Sequence, residues 1–151
     1  MSLATSAIEK SARQIWMGLL ARADATRLAQ LFPDLPDHST LRPAQVGGVM
    51  VRGRIGGVGG PFNLGEMTVT RCSVELASGE VGHAHVQGRD KAHATRAAVI
   101  DALMQTDRAA AVRAQVLDAL EAVETAHRAT RAAKAAATRV EFFTLVRGED
   151  Q

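Results

Sequence analysis

The sequence holds no tyrosine, one tryptophan and four phenylalanines, so aromatic rings make up only 3% of its 151 residues. Alanine and aliphatic side chains must therefore fill most of the interior, and the aromatic platform on which single-stranded nucleic acid stacks is lacking. A single cysteine, Cys72, excludes an internal disulfide and any iron-sulfur cluster ligated by this chain alone. Such cysteine usage fits a reducing compartment. Nowhere do 18 consecutive apolar residues occur, and "MSLATSAIEKSARQ" at the start has no apolar run of signal-peptide length. The expectation is a cytoplasmic protein with no membrane partner. Lysine is scarce too: three lysines stand against 15 arginines, and the formal net charge is only +2. Both signs are scattered along the chain, so no basic stripe for nucleic acid is evident.

What is present reads as one globular domain of α+β class covering 1–151, with 46% hydrophobic and 23% charged residues. Ser6 and Glu9 have capping-box spacing, and Ile8, Ile15, Trp16, Leu19 and Leu20 follow at helical intervals. Asp24 can cap a second short helix that Pro33 and Pro36 end, giving a helical segment over 6–32. From Val46 the period falls to two, which predicts an antiparallel sheet over 46–88 with strands around Val49–Ile55, Met67–Leu76 and Val81–Gly88. Asp90 caps a helix over 91–105, and Asp107 one over 108–137 whose stripe is Val112, Val116, Leu120 and Val123. A fourth strand is expected over 139–147. Its Phe142, Phe143, Leu145 and Val146 point to both faces, so part of its cover should come from another polypeptide.

Between the first two strands runs "GVGGPFNLGEMTVTRC". Gly60 and Gly65 have the spacing of a phosphate-binding loop, but Glu66 and Met67 replace its Lys-Ser/Thr. A dinucleotide fingerprint fails as well, because Phe62 stands where the third glycine belongs and a strand follows instead of a helix. A tight hairpin turn explains Gly56, Gly57, Gly59 and Gly60 without explaining why Asn63, Glu66 and Arg71 sit so close behind them. With Arg54 at the entrance, these are candidate anion or partner contacts.

A two-residue turn at Ser78 and Gly79 would pair Val74 with His83 and Cys72 with His85 on one face. Cys72, His83 and His85 would then cluster as a thiolate and two imidazoles suited to zinc or iron, or as ordinary hydrogen-bonded core residues. Cys72 could also serve as a nucleophile with His85 as its base, although no residue is evident to orient that base. "GRDKAH" sets Arg89, Lys91 and His93 at the amino end of a helix, where free amides favour anions, while the Asp90 cap would compete for them.

Four blocks, "QIWMGLLARA", "FNLGEMTVTR", "VGHAHVQGRDKAHA" and "RVEFFTLVRG", come in the order found in the PhnG family of the bacterial carbon-phosphorus lyase system, which the chain resembles from about Arg13 to Asp150. Thr95 is a departure, standing where an acidic residue is expected. The resemblance implies a subunit that acts with PhnI, PhnH, PhnL and PhnJ type partners. In that system ATP is a substrate of the complex, methylphosphonate is joined to its ribose carbon, and adenine leaves, giving α-D-ribose 1-methylphosphonate 5-triphosphate. It further implies no cofactor bound by this chain alone, a glycine-rich hairpin that docks on partners, and self-association of the isolated chain. The rival expectation is a stand-alone phosphonate-binding or metal-dependent enzyme built on Cys72, His83, His85, Arg89 and Lys91.

Overall fold

The computed structural model describes residues 11–140. Two short helices come first, α1 (Ala12–Arg22) and α2 (Ala25–Leu31). α1 starts at Ser11, whose hydroxyl accepts the Gln14 N–H while the Gln14 side chain accepts the Ser11 N–H. This reciprocal cap lies five residues beyond the Ser6 start expected above; Ser6 and Glu9 fall outside the described residues. Asp24 caps α2 as anticipated, accepting the Arg27 N–H at 2.8 Å.

Three antiparallel strands follow in the order β1-β2-β3: β1 (His38–Arg54), β2 (Pro61–Leu76) and β3 (Val81–Gln87). β1 and β2 are longer than their alternating patterns suggest and form a hairpin whose distal half extends beyond β3, which pairs only with residues 69–75 of β2. At the tip, Ile55–Gly57 makes one turn of 3-10 helix, with Gly56 at φ 58° and Gly57 at φ 83°. L side chains rarely adopt such angles, which accounts for two of the glycines. Gly59 is required for a different reason: a Cβ there would lie 2.6 Å from the Ile55 carbonyl oxygen.

α3 (Lys91–Leu103) crosses one face of the sheet. It is buried along most of its length because strands flank it on one side and α1 and α2 on another. Its alanines bring backbones together: a Cβ on Gly82 of β3 would sit 1.9 Å from the Ala98 carbonyl oxygen. Leu28, Val74, Val86, Ile100, Val116 and Leu117 are among the fully buried side chains of the core.

The helical run of 108–137 is present as α4 (Ala109–Val112), a π segment (Arg113–Leu117) and α5 (Asp118–Ala137). The expected Asp107 cap is corrected: the N-cap position of α4 is Arg108, with no side-chain cap, and in the turn before it the Thr106 hydroxyl accepts the Arg108 N–H at 3.1 Å. Val112, Val116 and Leu120 are buried as the stripe predicts, whereas Val123 is exposed. The contacts define two compact units, Met1–Glu121 and Ala122–Gln151. In the second, Arg128 donates to Glu124 at 2.8 Å, one helical turn away. Of the fourth strand expected over 139–147, Arg139 and Val140 are not in strand, and the remainder lies outside the described residues. Among the described residues no helix is long and apolar enough to cross a membrane.

Candidate functional site

The loop between β2 and β3 decides which side chains meet. Leu76 N–H bonds to the Glu80 carbonyl at 3.0 Å and Gly79 takes φ 100°, so the loop has three residues, Ala77 to Gly79, instead of two. That one-residue difference slips the register by one and exchanges the faces of every side chain on β3. Cys72 is paired with Ala84, while His83 lies opposite Ser73 and His85 opposite Arg71. The expected Cys72, His83, His85 cluster is therefore not formed. Cys72 is buried beneath α3 with its sulfur 3.8 Å from Thr95 Oγ1, and both histidines are exposed on the other face. The same separation removes His85 as a base for Cys72. Among the described residues no group of three His, Cys, Asp or Glu is placed to hold a metal ion.

At the start of α3, Asp90 accepts the His93 N–H at 2.9 Å, which confirms the cap. Arg89 and Lys91 are exposed there. His93 does not join them. It is only 4% exposed, and its Nε2 lies 2.9 Å from the Leu20 carbonyl; a carbonyl can only accept, so the ring donates and ties α3 to the end of α1. Thr95 donates to the Lys91 carbonyl at 3.0 Å, so the departure from the family pattern is absorbed within the helix.

Arg54, Asn63, Glu66 and Arg71 are strung along the hairpin and do not converge on one point. Arg54 donates to the Gly59 carbonyl at 3.2 Å and braces the tip. Asn63 lies opposite Arg52 and Glu66 opposite Met50. Leu64 between them has no partner on β1 because the register shifts by one there. Arg71 reaches the Gly48 carbonyl at 3.4 Å, while the Glu66 carboxylate occupies the space where a Cβ of Gly48 would stand. Around these polar groups the arm exposes apolar side chains: Val58 at 92%, Leu64 at 66%, Ile55 at 65% and Met50 at 58%. A single exposed apolar residue is unremarkable on a protein surface, but several on one projecting hairpin mark a contact surface.

A buried polar centre escaped the sequence reading. Asp101 is fully buried in α3 and accepts four hydrogen bonds: Arg13 Nε at 3.2 Å, Arg13 Nη2 at 2.7 Å, Trp16 Nε1 at 2.9 Å and the backbone N–H of His83 at 2.9 Å. Its hydrogen bonds hold the Arg13 guanidinium above its ordinary pKa. Arg13 and Gln105 also donate to the Val81 carbonyl, at 3.4 and 2.8 Å. The centre thus fastens α1 and α3 to the outer edge of β3 and satisfies backbone groups that no strand pairs. The sequence signal was one carboxylate inside the apolar run "AAVIDALM". It is a structural centre, since all its bonds are internal.

Residues 11–148 match the family of the phosphonate metabolism protein PhnG. The chain is also 49% identical over 144 residues to the PhnG subunit of alpha-D-ribose 1-methylphosphonate 5-triphosphate synthase of Rhizobium meliloti (strain 1021), an alignment that covers 91% of this chain and 90% of the relative. On the match across almost its whole length, the chain belongs to the PhnG family of phosphonate metabolism proteins.

Proposed function

We propose that the chain is a non-catalytic-alone subunit of an α-D-ribose 1-methylphosphonate 5-triphosphate synthase in phosphonate catabolism. The observation that carries this reading is the 49% identity, over nine-tenths of both chains, to a relative bearing that subunit name. In the reaction the C1–N bond to adenine breaks and a C1–O bond to methylphosphonate forms, with ATP as the nucleotide and adenine as the leaving group. The geometry supports a contributing role. The candidate polar residues are spread over the hairpin arm and the start of α3, and the arm carries exposed apolar residues of the kind that become interface anchors. Partners of PhnI, PhnH, PhnL and PhnJ type are the proposed occupants of that arm, and the protein acts in the cytoplasm. Without them, the isolated chain associates with itself through the same surface.

Reconstitution tests this. Adenine release from ATP in the presence of methylphosphonate is measured for the partner subunits with and without the chain. Release that depends on the chain supports the reading, and undiminished release in its absence refutes it. Micromolar binding of ATP, methylphosphonate or zinc by the isolated chain, lost on Arg89→Gln, would favour a stand-alone enzyme instead.

A further inference from the structure

The register that disperses the expected metal cluster assembles a different group on the sheet face turned away from α3. Across the three strands, Arg42 lies opposite Ser73 and Ser73 opposite His83; two residues along β2, and three along β1 where its register shifts, Gln45 lies opposite Arg71 and Arg71 opposite His85. Residues directly opposite in an antiparallel sheet share a face. Two guanidinium groups, two imidazoles, a hydroxyl and an amide thus form two adjacent rows. Arg42, Gln45, His83 and His85 are exposed, and Arg71 and Ser73 are half-buried. Ser73 Oγ lies 2.9 Å from His83 Nδ1. With Ser73 donating, the ring proton sits on Nε2 and is available to an acceptor beyond the sheet. One carboxylate, Glu75, shares the face at its end, opposite Ser39 and Val81.

We propose that this basic sheet face binds a linear polyphosphate, namely the triphosphate group carried by the nucleotide and the product of the synthase; the identity of that ligand rests on the function proposed above. Nearly every group in the two rows can donate to a phosphoryl oxygen, and arginine does so in bidentate fashion. Neighbouring strands are about 4.8 Å apart and same-face residues about 6.8 Å apart along a strand, so the rows frame roughly 10 by 7 Å. A chain of linked phosphoryl groups fills that span and a single one does not. Being exposed and screened, the face binds weakly until partners enclose it.

The test is an NMR titration of the full-length chain with tripolyphosphate, inorganic phosphate and a tetraglutamate peptide at equal ionic strength. Saturable shifts are expected at residues 42, 71, 73, 83 and 85 with tripolyphosphate in the range of about 1 mM, and at least fivefold weaker responses with the other two. Arg71→Gln and the exposed His85→Gln should each weaken the response at least threefold, while Arg89→Gln leaves it unchanged. Shifts confined to the start of α3, absent shifts, or an equal response to tetraglutamate would overturn the proposal. The adenine-release assay decides the synthase reading separately, so either can fail without the other.

Discussion

Asp101 Oδ2 accepts the backbone N–H of His83 at 2.9 Å while the same oxygen holds Arg13 Nη2 at 2.7 Å, so one carboxylate closes a strand edge and anchors a helix together. Replacing it with alanine orphans the His83 amide and the Trp16 indole N–H and leaves Arg13 only its longer bond to the Val81 carbonyl. Asp101→Ala is expected to destabilise the protein by about 3 kcal/mol, and Trp16→Phe, which removes one donor, by about 1 kcal/mol. Urea unfolding of both variants measures this. A loss below about 1 kcal/mol for Asp101→Ala would mean that the centre adds little to stability.

The approach of β3 to α3 leaves no room at Gly82. Gly82→Ala should cost about 3 kcal/mol or prevent folding, because the clash is with the Ala98 carbonyl and the Ala102 amide nitrogen and not with a side chain that can turn away. Gly79→Ala strains only a loop at φ 100° with open space around it, and about 1 kcal/mol is expected. Thermal unfolding ranks the two, and the reverse order would contradict the packing described.

On the hairpin arm, function and stability should separate. Val58→Asp with Leu64→Glu alters exposed side chains and should leave unfolding free energy within about 0.5 kcal/mol of the parent. The same pair should weaken capture by the partner subunits at least tenfold, about 1.4 kcal/mol. Quantitative co-purification gives the second number. Unchanged capture would remove the arm from the interface.

Glu80 offers a pH readout of the turn. Its carboxylate accepts from the Ser78 hydroxyl, which holds its pKa below the ordinary glutamate value. A depressed folded pKa means that the interaction stabilises the fold above the ordinary glutamate range and is lost as pH falls through the lowered value. Ser78→Ala should move the Glu80 titration midpoint upward in a carboxyl-carbon NMR titration, and an unmoved midpoint would show that the hydroxyl is not its cause.

Periodicity made the elements legible, and side-chain caps made some of their starts so: Asp24 and Asp90 cap the helices they were expected to cap. Register was less accessible. "ASGE" suits a two-residue or a three-residue loop equally well as a string of letters, yet the choice decides whether His83 lies opposite Val74 or Ser73. His93 was misread because spacing places it on the first turn of α3 without revealing that the end of α1 closes over it. Asp101 was missed because its partners Arg13 and Trp16 lie 88 and 85 residues away, a separation that no local pattern reports. The π segment at Arg113–Leu117 likewise follows no composition signal.

The two borders of the sheet are unlike. β3 is plugged at Val81 and His83 by side chains from α1 and α3, whereas β1 presents 17 residues that no described strand borders on their outer side. Between Pro61 and Thr68 the outer side of β2 likewise has no described strand beside it, so the hairpin arm offers backbone groups on both of its sides. An extended partner segment laid along the arm would find backbone groups to bond, whereas the Val81 carbonyl and the His83 N–H at the other border are already taken.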